Sequence, residues 1–384
     1  MIYLDNAATS YPKPRVVLEA MTKYLEQCGA NPGRGAYKMA VAATRTVFET
    51  REELARFFNV DDSRNVIFTP NGTEAINLAL KGVLESGDHV VTTSLEHNAV
   101  TRPLKILEQE GIDTTKVRCS REGSLDPDDV AGAIQKNTKL IVATHASNVI
   151  GTILPIKEIG KIAREHQVTF MVDAAQTAGI LPLDVKELNI KLLAFPGHKA
   201  LMGPPGTGGL YIDPRLELKE LVQGGTGEDS RGVFQPSSRP ERYESGTLNA
   251  VGIAGLGAAL EFLQNVQIKK ICEKERGLTA RLLEGLKRID KVEVYGVEAE
   301  DERVPLVSFN IAGKTGEEVC VLLDKKFDIA ARSGLHCAPD AHQTLGTLET
   351  GTIRFSPGYY NTTQEIDEAL EAVATISEVS GKKI

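Results

Sequence analysis

The chain has 384 residues, 41% of them hydrophobic and 25% charged, with a net charge of −8 at pH 7. This is the make-up of an ordinary globular protein, long enough for one large domain and a smaller one. The acidic balance argues against nucleic acid or an anionic membrane as partner, and no apolar run reaches the length of a transmembrane helix.

The chain opens M-I-Y-L-D-N-A-A-T, without the basic stretch and apolar run of a signal peptide. Its five cysteines, at 28, 119, 272, 320 and 337, are scattered and lack C-x-x-C pairing. The expectation is a cytoplasmic protein with reduced thiols. The first fifteen residues have strand and turn character with no partner nearby. N-P-G-R-G-A-Y, residues 31–37, is a turn-rich loop whose Arg34 either lines a site or faces solvent.

From about residue 65 to 215, apolar runs of strand length alternate with amphipathic stretches of helical length. V-I-F-T (66–69), H-V-V-T-T (89–93), K-V-R-C (116–119), L-I-V-A-T (140–144), T-F-M-V (169–172), L-L-A-F (192–195) and G-L-Y-I (209–212) read as strands. The alternation predicts an α/β arrangement, a mostly parallel sheet with helices on both faces. From about residue 250 a long helical pattern runs through A-G-L-G-A-A-L-E-F-L and past R-G-L-T-A-R-L-L-E-G-L. V-E-V-Y, P-L-V-S-F-N-I, a helix near 315–326, I-R-F-S and a closing helix follow. The division expected is a large domain over 15–250 and a smaller α+β domain built from 1–14 and 251–384.

Chemistry-bearing residues punctuate the strand ends. In P-N-G-T-E-A-I-N, Asn71 and Glu74 have N-cap and N3 spacing, and Gly72 and Thr73 offer an anion pocket at the positive helix end. S-L-E-H-N puts His97 just beyond a strand, where it stacks on a flat ring, handles protons, or makes a local loop hydrogen bond. H-A-S-N-V-I-G places Asn148 beyond another strand, as a ligand for an oxygen or as part of an Asn/Gly turn. T-F-M-V-D-A-A-Q delivers Asp173 and Gln176 at the C-terminal end of a strand, where ligands sit in open α/β sheets. L-A-F-P-G-H-K delivers Lys199 from the end of a buried run onto a turn, where a dry surrounding lowers an amine's pKa. A strand-end carboxylate together with a strand-end lysine is what pyridoxal phosphate requires, one for its ring nitrogen and one for its aldehyde.

The next bend, G-P-P-G-T-G-G-L, is not a phosphate loop, because Gly209 and Leu210 occupy the Lys and Ser/Thr positions of G-x-x-x-x-G-K-[ST]. It reads as a turn feeding a strand. E-S-G-T-L-N offers the Thr247 hydroxyl, though turn chemistry explains it equally. R-S-G-L-H-C-A-P-D sets Cys337 beside His336 and near Arg332, cations that favour the attacking thiolate. The other four cysteines suit small buried apolar positions. No second ligand pair makes a zinc site of His336, Cys337 and His342, so no metal is expected. T-I-R-F-S presents Arg354 in a strand, its planar fork suited to the carboxylate of an amino acid.

Taken together these segments resemble the cysteine desulfurase and selenocysteine lyase family, within the class V aminotransferase superfamily of pyridoxal phosphate enzymes. The resemblance runs from L-D-N-A-A-T at 4–9 to the last helix, and R-x-G-x-H-C-A looks like the group II branch. It implies fold type I and a desulfurase converting L-cysteine to L-alanine with sulfur passed to a cysteine persulfide. The alternatives are a selenocysteine lyase acting on L-selenocysteine and a class V aminotransferase. It implies Lys199 as the Schiff-base lysine, Asp173 on the ring nitrogen, Gln176 on the phenolic oxygen and His97 stacked on the ring. Gly72, Thr73 and His198 would hold the phosphate, with Thr247 supplied by the other subunit of a homodimer. Asn148 and Arg354 match the substrate-carboxylate positions, and Cys337 the nucleophile that passes sulfur to an acceptor protein. Pro196 stands where many members carry a serine.

Overall fold

The computed structural model describes residues 1–33, 35–227 and 232–378; Arg34 lies outside them. At its centre is a seven-stranded sheet in the order Val66–Thr69, Gly208–Ile212, Leu192–Pro196, Thr169–Asp173, Thr138–Thr144, His89–Thr93, Asp113–Val117. Every pairing is parallel except those of Gly208–Ile212, which runs antiparallel to both neighbours. Strands covered on both faces are apolar without alternation, which is why Leu192–Pro196 is buried at every position. The edge strand departs from the expected K-V-R-C. It begins at Asp113 and ends at Val117, because D-T-T-K faces solvent at the sheet margin and carries no apolar signal.

The glycine bend does more than turn the chain. A Cβ at Gly209 would lie 2.5 Å from the Phe195 ring, and one at Gly208 would lie 2.9 Å from the backbone of Asn71. Only glycine lets the strand pass that close to the helix start at residue 71.

The C-terminal part carries a four-stranded antiparallel sheet in the order Arg332–Gly334, Thr352–Phe355, Val307–Ile311, Val292–Tyr295. Helices Ile268–Lys287, Gly316–Phe327 and Thr363–Glu378 close its core around Phe309, Phe355 and Leu282. The N-terminal strand Ile2–Tyr3 does find a partner, Ile329–Ala330 at the far end of the sequence. The single long helical pattern is two helices, Ala250–Val266 and Ile268–Lys287, bent by 80°. Gln267 at the break has φ of 73°, a left-handed conformation that a continuous helix cannot contain. The first of the two packs into the core of the large sheet and the second into that of the small one. Among the described residues no single helix is long and apolar enough to cross a membrane.

One buried ion pair ties the large unit together. Arg51, on helix Lys38–Phe57, meets Glu244 through two bonds of 2.6 and 2.9 Å, and both side chains are nearly inaccessible at 6% and 5%. Glu244 also accepts from the Phe68 N–H at 2.6 Å, and Arg51 donates to the Val66 carbonyl at 2.6 Å. Removing one partner strands the other charge. Glu244→Ala is therefore expected to cost about 3–5 kcal/mol in urea unfolding, with Glu244→Gln costing less. A change under about 1 kcal/mol for the alanine variant would mean that water already shares the pair.

Candidate active site

The C-terminal edge of the parallel strands opens onto a cavity of about 230 Å³. All the predicted site residues line it except Thr247 and Cys337. They arrive on several separate elements, and local chemistry explains how.

Helix Gly72–Val83 follows the strand Val66–Thr69 directly. Asn71 caps it, its Oδ1 accepting the Glu74 N–H at 2.9 Å. The N–H groups of Gly72 and Thr73 belong to the first turn and have no intrahelical carbonyl to bond. They point the positive end of the helix at the cavity they line. His97 caps the next helix in the same way, Nδ1 accepting the Ala99 N–H at 3.0 Å. That bond assigns the ring proton to Nε2. Burial, reinforced by Lys199 and Arg332, pushes this imidazole down to about 4, so it is neutral at pH 7.

Asp173 ends its strand 3% exposed and accepts the Ala175 N–H at 2.9 Å. Burial raises its carboxyl, offset by that N–H and by the charge on Lys199. Gln176 donates from Nε2 to the Ala7 carbonyl at 3.1 Å. Pro196 closes the neighbouring strand, and the turn that follows is held by its backbone. The Gly197 N–H bonds the Thr207 carbonyl, and the Gly203 N–H bonds the Gly197 carbonyl. The His198 carbonyl takes donors from Thr9 Oγ1 at 3.0 Å, the Ser10 N–H at 3.1 Å and Lys13 Nζ at 2.6 Å. Its ring Nδ1 is buried with no partner. Lys199, half-buried on this fixed turn, has its amine pushed down to about 8, chiefly by burial and secondarily by Arg354 and Arg332.

Arg354 is 1% exposed, donating from Nη1 to the Asn148 carbonyl and from Nη2 to Asp5 Oδ1, both at 2.8 Å. The Asn148 amide is partly engaged, since Nδ2 donates to the His336 carbonyl at 2.6 Å. Cys337 stands at the rim. It is the exposed cysteine, whereas Cys119 is buried and Cys28, Cys272 and Cys320 are half-buried. His336 and Cys337 have successive φ values of 46° and 58°. Left-handed conformations in two adjacent non-glycine residues persist only where the surroundings enforce them. Here the Cys337 carbonyl accepts the Asn98 N–H at 2.8 Å, and the buried His336 ring meets the Thr352 carbonyl at 3.0 Å. Arg332, which lines the cavity, reaches the Cys337 sulfur at 3.6 Å and so links thiol and cavity.

Thr247 is exposed and lines a different depression, with Thr69 and Glu74. Among the described residues no group of His, Cys, Asp and Glu side chains is arranged to hold a metal ion. Two participants gave no signal to sequence reasoning. Asp5 sits in the quoted L-D-N-A-A-T without a recognisable role. Glu96, fully buried, receives Thr93 Oγ1 at 2.6 Å and the Thr144 N–H at 2.9 Å, and burial pushes it up to about 8. A charged residue directly before His97 is the only hint the sequence holds.

The aminotransferase class-V family model matches residues 2–369. A protein named "Probable cysteine desulfurase" from Methanothermobacter thermautotrophicus is 38% identical over 383 residues, covering 97% of this chain and 94% of its own. "Cysteine desulfurase IscS" from Dictyoglomus turgidum is 34% identical, with 98% and 94% covered. The apo structure of a cysteine desulfurase from Thermococcus onnurineus NA1 superposes with a TM-score of 0.93 at 34% identity, covering 98% of this chain and 94% of that one. With a family model spanning nearly its whole length and relatives of this identity matched end to end, the chain belongs to the cysteine desulfurase family of class-V aminotransferase enzymes.

Proposed function

We propose that this chain uses pyridoxal 5'-phosphate to convert L-cysteine to L-alanine, taking the sulfur onto Cys337 as a persulfide for an acceptor protein. One observation carries the reading. A single cavity joins a lysine of lowered pKa, a buried carboxylate and a helix N-terminus, and one exposed thiol stands at its rim.

The residues present fit that cofactor. The free N–H groups of Gly72 and Thr73 and the orphaned His198 Nδ1 suit its phosphate. Asp173, whose carboxyl is raised by burial, would hold the ring nitrogen and gain a countercharge from its protonated form. Gln176 keeps a second amide N–H for the phenolic oxygen, and the neutral His97 ring suits stacking on the ring face. When bound, this cofactor supplies an electron sink for charge left at an amino-acid Cα.

The chain's own groups do the rest. Arg354, with Asn148, fixes the substrate carboxylate and thereby the orientation of the Cα–H bond. Lys199, as the free amine, removes the Cα proton and later returns a proton to the three-carbon product. The Cys337 thiolate forms a bond to the substrate sulfur as the Cβ–S bond breaks, and that electron pair stays with the three-carbon fragment. His97, which lines the same cavity as a neutral ring with its proton on Nε2, serves as the proton carrier in this reading.

A homodimer follows from the same reading. Thr247 faces outward, away from its own cavity, and Phe48, Val233 and Phe234 are exposed at 55%, 93% and 90%. Sedimentation velocity showing a monomer with full cofactor occupancy would remove this part.

The direct test is to give the purified, cofactor-loaded protein L-cysteine and a reductant. Alanine and sulfide should appear in equal amounts without any keto acid. Turnover that depends on a keto-acid acceptor would instead identify an aminotransferase.

A further inference from the structure

The N-terminal segment touches the cavity at a point that has no role in the mechanism above. Arg354 carries five N–H groups, and the protein takes one at Nη1 through the Asn148 carbonyl and one at Nη2 through Asp5 Oδ1. The Asp5 carboxylate makes one contact with the fork. A parallel two-pronged pairing would have used up a whole edge of the fork. Among the described residues the remaining N–H groups have no protein acceptor, and Nε is buried without one.

Positive charge is not scarce here, because Arg332 and Lys199 line the same cavity. Orientation needs more than the single bond from Nη1 to the Asn148 carbonyl. Asp5 supplies a second point, on Nη2, from an independently fixed backbone. Residue 5 forms a parallel bridge to Ser356, the Ser356 N–H donates to the Leu4 carbonyl at 2.7 Å, and the Asn6 N–H returns to the Ser356 carbonyl at 3.2 Å. The carboxylate is thus pinned alongside the strand that carries Arg354, and its side chain is 21% exposed.

We propose that Asp5 is a positioning residue: it sets the plane of the Arg354 guanidinium and so determines how tightly the α-carboxylate of an amino-acid substrate is held. This rests on the reading of Arg354 as the carboxylate-binding residue.

The two roles open to Asp5 have opposite signs. If it only neutralises charge, its removal leaves the cavity more positive and tightens binding of a carboxylate. If it positions the fork, its removal weakens binding. The experiment measures KM for L-cysteine and the calorimetric Kd of L-alanine on the holoenzyme. Asp5→Ala is expected to raise both about tenfold, the scale of one hydrogen bond to a charged group, with kcat within about threefold. Asp5→Asn keeps an acceptor oxygen and is expected to raise them about threefold. An alanine Kd that is unchanged or tighter in either variant overturns the proposal. Should Asp5→Ala not give folded holoenzyme, Asp5→Asn decides alone by the same criterion. Arg354→Lys separates the two readings. If it leaves the alanine Kd unchanged, the carboxylate assignment of Arg354 falls and this proposal with it. If it weakens alanine while Asp5→Ala does not, only the role of Asp5 falls.

Discussion

Cys337→Ala is expected to lower alanine release from L-cysteine by ~10³-fold or more, the scale seen when a nucleophile is removed from a covalent mechanism. Cofactor absorbance and its response to added L-cysteine should be preserved, because Cys337 itself does not line the cavity, which it meets through Arg332 and its chain neighbour His336. Cys337→Ser keeps the size and the left-handed backbone of the turn, so it separates loss of the thiol from loss of the turn. Both variants should fail equally. Persistent alanine release in either one sinks the nucleophile assignment. L-selenocysteine is the informative second substrate. Selenide leaves more readily than sulfide, so turnover of selenocysteine that alone survives the substitution would confine the need for the Cys337 thiol to sulfur. An unsubstituted chain that turns over selenocysteine and not cysteine would instead mark a selenocysteine lyase.

Lys199→Ala is expected to be the other near-null variant. Losing a positioned general base costs on the order of 10²–10⁴-fold, before any cost of weaker cofactor attachment. The pH dependence gives an independent check on the apoprotein. The Lys199 amine is pushed down to about 8 by burial and by the two arginines. Its reactive form is the neutral one, which is about one molecule in ten at pH 7 and most of them above pH 9. The rate at which apoprotein captures pyridoxal phosphate should therefore rise about tenfold per unit below pH 8 and level off above it. An ordinary exposed lysine would keep climbing past pH 10. His97, neutral from about pH 5 upward because burial and four nearby cations hold it low, should leave no inflection near pH 6.5. A clear inflection there would mean that the imidazole is better hydrated than its surroundings indicate.

The site was readable in the sequence to an unusual depth where it depended on strand ends. Buried parallel strands are continuous apolar runs, and the residues just past such a run stand at the ligand-bearing edge of the sheet. That logic picks out Asp173 after T-F-M-V and Lys199 after L-L-A-F-P-G-H, and both line the cavity. The Asn71 cap was legible for a similar reason, since capping is a local pattern that spans four residues. Failures came where the signal was not local. The edge strand Asp113–Val117 shows polar residues to solvent, so its sequence reading at 116–119 overlaps only its last two residues. The break at Gln267 could not be read from a helical pattern that continues unbroken in composition across it.

What the order of residues determined by itself was the inventory of the chemistry: an amine, a carboxylate and a helix start delivered to one edge of a sheet, each by short-range periodicity and capping. Tertiary packing alone decided which groups meet. Asp5 reaches Arg354 only because the first strand pairs beside the last ones, and Asn148 holds the Cys337 turn only because the small sheet docks against the large one. Contacts between residues so far apart are set by how whole faces bury against each other, and no local pattern records them.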